Sequence, residues 1–112
     1  MAKTFRQLQK EIHKNAIEHG WWDNKREFGT LISLCHTELS EAFEAFRDGA
    51  NPAEVFIDPE SGKPEGIGVE LADTVIRIMD TCEFYGIDLI ALIEQKHEYN
   101  KTRPFKHGGK RV

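Results

Sequence analysis

The sequence predicts an all-α domain: four main helices in a bundle, interrupted by one long Pro/Gly-rich loop and completed by dimerisation. Three observations predict it. Apolar residues recur at spacings of three and four in four separate segments, the pattern of helices that bury one face. Residues 49–68, GANPAEVFIDPESGKPEGIG, hold three of the four prolines and four of the nine glycines, which excludes a continuous helix there. A chain of 112 residues fits a single domain, 1–112, with a core small enough for oligomerisation to help it.

The elements follow in order. Phe5, Leu8, Ile12, Ala16 and Ile17 form a narrow helical stripe over 4–18. Gly20 suits its cap, and Asp23 or Asn24 suits the start of the next helix. From about 25 to 48, Phe28, Leu31, Ile32, Cys35, Leu39, Ala42, Phe43 and Phe46 make the best amphipathic helix of the chain, closed by Gly49. Val55, Phe56 and Ile57 suggest a short extended piece or hairpin inside the loop. A third helix is expected from about 68 to 85, stopping at Gly86. Asp88 then reads as the N-cap of a fourth, from 89 to about 102, which Pro104 stops soon after. On the third helix the apolar residues span roughly 180° at 100° per residue, wider than a surface helix needs. That breadth predicts cover on two sides, by its own domain and by a second subunit. Its polar sector carries Glu70, Asp73 and Asp80, with Arg77 a turn beyond Asp73 to hold or neutralise the acids.

The acids raise the functional question. With 19 acidic residues in the chain, chance alone gives about three pairs at a spacing of three. The chain has four: Glu38–Glu41, Glu41–Glu44, Glu70–Asp73 and Asp80–Glu83. Numbers alone therefore favour solvated faces. Position favours more: Glu38 lies at the edge of the apolar stripe between Leu34 and Ala42, while Glu41 and Glu44 lie progressively further round. If the second helix packs on the third, Glu38, Glu41, Glu70 and Asp73 converge. Four unpaired carboxylates repel unless some take up protons or a divalent cation enters, and all-oxygen ligands suit Mg²⁺ or Mn²⁺ rather than zinc.

Other metal and nucleophile readings are weaker. His36-Thr37-Glu38 has the H-x-E of zinc deaminases without the P-C-x-x-C that must accompany it, and His36 reads as a core-edge histidine. No G-x-S-x-G, Walker A or H-x-x-x-H spacing occurs. Cys35 and Cys82 sit in apolar helical patterns and read as reduced, buried thiols. The polar N-terminus and the lack of about twenty consecutive apolar residues predict no secretory signal, no membrane span and a cytoplasmic protein.

The net charge of −4 is unevenly spread. Six basic residues, Lys96, Lys101, Arg103, Lys106, Lys110 and Arg111, follow position 95 against one acid, Glu98, leaving nine basic and eighteen acidic residues before it. Lys96 and Asn100 share one face of the fourth helix, and Arg103 follows. Cations and amides opposite an acidic metal site suit a polyphosphate, some oxygens going to metal and the rest to Lys and Arg. Trp21 and Trp22 offer rings for stacking on a base, although paired tryptophans also serve core or interface. The acidic body argues against a dedicated nucleic-acid binder.

ELSE at 38–41, then 28 residues, then ELAD at 70–73 fits an ExxE…ExxD pattern. Together with GWW at 20–22, ELSEAFEAFRDG at 38–49, GKPEGIGVELADTVIRIMD at 62–80 and YNKTRPFKHGGK at 99–110, it resembles the MazG-like branch of the all-α nucleoside triphosphate pyrophosphohydrolases. The resemblance covers nearly all of the chain after the first helix. It implies a helical homodimer or dimer of dimers that binds Mg²⁺ and hydrolyses an NTP or dNTP to the monophosphate and pyrophosphate, in nucleotide-pool housecleaning. It implies Glu38, Glu41, Glu70 and Asp73 as metal ligands, with Glu41 or Glu38 also orienting or deprotonating the attacking water. It implies Lys96 and Asn100 as phosphate-binding residues, Lys96 acting in catalysis, with Arg103, the HGGK tail at 107–110 and Trp21 or Trp22 as further substrate contacts. Nothing matches the long two-domain members. Two rivals stand beside it: a non-catalytic helical dimer that binds nucleotides or nucleic acid through its basic C-terminus, and a phosphoribosyl-ATP pyrophosphohydrolase of the same fold.

Overall fold

A computed structural model describes residues 2–104. The expected HGGK element and Lys106, Lys110 and Arg111 lie outside the described residues. The chain is all-α, with helices α1 (Phe5–Glu18), α2 (Phe28–Arg47), α3 (Ile67–Phe84) and α4 (Leu89–Asn100). A two-stranded antiparallel hairpin, β1 (Phe56–Ile57) and β2 (Pro64–Glu65), stands in the loop before α3, with Phe56 opposite Glu65 and Ile57 opposite Pro64. Among the described residues no helix is long and apolar enough to cross a membrane.

Local chemistry sets the helix ends. The Thr4 hydroxyl accepts from the Gln7 amide at 3.1 Å while the Thr4 amide donates to Gln7 Oε1 at 2.8 Å, a reciprocal capping box at the start of α1. Gly20 follows its end at φ +82°. α2 does not start from Asp23 or Asn24: it begins at Phe28 with Glu27 at the cap position and no side-chain cap bond. The reason lies in Trp22, whose indole is held on α3. Residues 21–24 therefore turn, the Asp23 amide donating to the Gly20 carbonyl, and the chain runs three residues further before it can coil. Asp88 caps α4 as its side chain accepts from Ala91 N.

α3 is the centre of the packing, with α2 on one side and α1 on another. The core is thin: Leu31, Ala42, Ile67, Met79 and Cys82 are its buried apolar residues. α4 packs extensively on no other element and buries none of its residues. It is moored at its start, where Arg6 pairs with Asp88 at 3.1 Å and the buried Gln9 amide donates to the Ile87 carbonyl and to Glu83. Both cysteines are free thiols; Cys82 is buried, Cys35 half-buried, and burial raises the pKa of each.

Candidate metal centre

The side-by-side packing of α2 and α3 turns two local i, i+3 patterns into one cluster. One carboxylate oxygen from each of Glu38, Glu41 and Glu70 lies within 4.8 Å of the others. Oxygens around an octahedral Mg²⁺ at about 2.1 Å stand roughly 3–4 Å apart, so small side-chain adjustments would close this set on a hard divalent cation. Asp73 is not in that triplet. It lies one turn along α3, half-buried, and its charge acts on Glu70.

The cluster is under electrostatic stress. Burial pushes the Glu70 carboxyl up to about 7; a hydrogen bond with Glu38 and the charges of Glu41, Glu38 and Asp73 add to the shift. A protonated acid where two further carboxylates converge is the state that a cation would replace. Arg77 does not hold Glu70 or Asp73 as the helical spacing suggested. Its Nε donates to Glu38 Oε1 at 3.0 Å across the α2–α3 interface, where the Glu38 side chain is only 13% exposed. Arg77 reaches across because α2 lies on its side of α3. Glu44 stands apart on the exposed flank, paired with Arg47 at 2.6 Å.

Two open clefts meet at Asp73. The first, about 580 Å³, runs between α1 and α3 past Asn15, Trp21, Arg26, Asp73, Arg77 and Asp80. The second, about 620 Å³, lies between the end of α2 and the hairpin, and Glu41, Glu70 and Asp73 line it together with Lys63.

The two tryptophans have separate fates. Trp21 is 55% exposed and lines the first cleft, with the Arg26 guanidinium 5.6 Å from its ring centre. Trp22 lines neither cleft. Its indole N–H donates to Asp80 at 3.0 Å, and its ring lies flat on Phe84 at 4.2 Å. His13 completes this anchor, its Nδ1 at 2.7 Å from Asp80 and its ring edge-on to Trp22. His36, expected at the core edge, is exposed on α2, because its position turns away from α3.

Lys96, Asn100 and Arg103 are not brought to the acids within one protomer. None lines either cleft, and the Lys96 ammonium sits 4.7 Å over the Tyr99 ring of its own helix. Sequence reasoning gave no role to Lys63 or Asp80. Lys63 stood inside the GKPEG run without a role, and only the hairpin reveals which cleft it faces; Asp80 needed the position of α1. Comparison with family models, with curated proteins and with solved structures finds no match to this chain.

Proposed function

We propose that the protein is a Mg²⁺-dependent nucleoside triphosphate pyrophosphohydrolase of the MazG-like kind, converting an NTP or dNTP to its monophosphate and pyrophosphate. The observation that carries this reading is the convergence of Glu38, Glu41 and Glu70 within 4.8 Å, with Glu41 and Glu70 lining a cleft that meets a second one at Asp73. Glu38, Glu41 and Glu70 would hold the cation, with Asp73 able to join from the same helix. A divalent cation there supplies Lewis acidity toward a phosphoryl oxygen and acidifies water. Glu41, the exposed member of the cluster, is free to take a proton from the attacking water. Trp21 offers an exposed ring for the base in the first cleft, while Trp22 serves the fold.

The protein acts as a homodimer on this reading. Leu39, Phe43 and Phe46 on α2 and Leu71, Val75 and Ile78 on α3 are exposed at helical spacing, an apolar face that a second copy fits. Lys96, Asn100 and Arg103 then serve phosphate only if α4 reaches a partner's site.

The test is a panel of canonical and modified (d)NTPs, with phosphoribosyl-ATP beside them, assayed with and without Mg²⁺ for pyrophosphate and for single phosphate. Metal-dependent pyrophosphate release is expected. Glu41→Gln and Asp73→Asn are each expected to fold normally and to lower turnover at least about 100-fold. Full activity in both variants, or release of single phosphates only, would overturn the assignment.

A further inference from the structure

The acid cluster leaves a charge problem on its phosphate side. A triphosphate chain is more negative than one divalent cation offsets, and the cluster itself is made of carboxylates. Arg77 is taken up by Glu38 at 3.0 Å, and Lys96 lines neither cleft. Among the described residues, Lys63 is the one basic residue lining the cleft that Glu41, Glu70 and Asp73 share.

Three features separate Lys63 from an ordinary surface lysine. Its backbone is clamped: its carbonyl accepts from the Asp58 amide at 2.9 Å and its amide donates to the Ser61 hydroxyl at 3.2 Å. The hairpin that carries it is fixed against α3, because Gly66 packs on the Glu54 carbonyl and Gly68 lies beside Val55. Its ammonium has no carboxylate partner within 4.0 Å among the described residues, although Glu41, Asp48, Glu65, Glu70 and Asp73 line the same cleft. A cation on a clamped turn, its charge acting on Asp58 of that turn and its residue lining the cleft that Glu41, Glu70 and Asp73 line, is placed for an anion held between the turn and the acids.

We infer that Lys63 binds the pyrophosphate portion of the substrate and holds it as it leaves, an inference that rests on the proposed hydrolysis. In that reaction the water oxygen bonds the α-phosphorus and the bridging bond toward the β-phosphate breaks. The electron pair leaves with the pyrophosphate, and water gives its proton to a carboxylate of the cluster. Lys63 meets the charge that appears on the leaving group.

Inorganic pyrophosphate is a probe independent of the base. Its binding in the presence of Mn²⁺, and Mn²⁺ binding alone, are measured by calorimetry and by electron paramagnetic resonance for the wild type, Lys63→Gln, Lys63→Arg and a charge control, Lys10→Gln, on the exposed face of α1. All four are expected to bind Mn²⁺ equally and to melt together. Pyrophosphate affinity should fall about tenfold in Lys63→Gln alone. Equal pyrophosphate affinity in wild type and Lys63→Gln, with Mn²⁺ bound in both, would overturn the role of Lys63 and leave the metal site standing. An equal loss in Lys10→Gln would overturn it too, as a net-charge effect. Failure of the wild type to bind Mn²⁺ would remove the hydrolytic reading and Lys63 with it.

Discussion

Glu70 is the residue at which pH, stability and the proposed metal binding meet. Its folded pKa of about 7 lies above the ordinary 4.5, with burial the first cause. The folded state therefore favours its protonated form, and the sign follows: the stabilisation is fully present below about pH 4.5 and is lost as pH rises through about 7. The metal-free protein should melt at progressively lower temperature across that window, and Glu70→Gln should remove most of that slope. A bound cation needs the carboxylate, so Mn²⁺ affinity should rise over the same range with release of a proton. Calorimetry in buffers of different ionisation enthalpy reads that proton directly. Asp80 carries a different load: Asp80→Ala strands the Trp22 indole N–H and His13 where both were half-buried. A loss of about 1–3 kcal/mol is expected in urea denaturation, with Mn²⁺ binding kept. The sequence showed which acids could pair along each helix, but nothing in it separated Trp21 from Trp22. Adjacent residues in a turn point apart, and which one goes inward depends on where α3 offers an acceptor.

At the scale of elements, the hairpin and the first turn of α3 behave as one piece joined at Gly66. Its φ of +133° is open to glycine and strained for other residues, and an added Cβ would overlap the Glu54 carbonyl oxygen. Gly66→Ala should cost about 2 kcal/mol or more in urea denaturation and should weaken pyrophosphate binding by displacing Lys63. Gly62 is the comparison: it has φ +74° but open space around it, so Gly62→Ala should cost only about 1 kcal/mol. Periodicity made the four helices legible, since their apolar spacing records the face each one buries. Asp88 and Gly86 marked the α3–α4 junction in the same way. The start of α2 was not legible at Asp23 or Asn24, because the tie between Trp22 and Asp80 spans 58 residues and overrides the local capping chemistry. The cluster was half legible. The i, i+3 pairs came from spacing, their convergence came from α2 lying on α3, and the hairpin cation came from neither.

The whole molecule is open for a chain of its length. Its radius of gyration is 16.8 Å, against about 13 Å for a compact domain of this length. Of the ten large apolar residues exposed on the paired helices α2 and α3, six (Leu39, Phe43, Phe46, Leu71, Val75 and Ile78) recur at helical spacing, with Phe43 at 61%. A helix of 12 residues is marginal in water by itself, yet among the described residues α4 packs extensively on no other element and leaves Leu92 and Ile93 about half exposed. The proposed dimer would account for all three features, a second copy covering the α2–α3 face and receiving α4. The wide apolar arc of α3 in the sequence leads to the same expectation. Light scattering after gel filtration should give a mass at least twice 12.9 kDa. Phe43→Asp combined with Val75→Asp should shift it to the monomer, because two carboxylates would then face their own copies across the same apolar surface. The double variant also separates fold from assembly. If α4 is held by the partner, its helical signal in circular dichroism should fall as the dimer dissociates on dilution, while α1–α3 persist. A wild type that stays at 12.9 kDa at high concentration, with α4 fully helical, would show that this chain tolerates its open form and that the exposed face has another use.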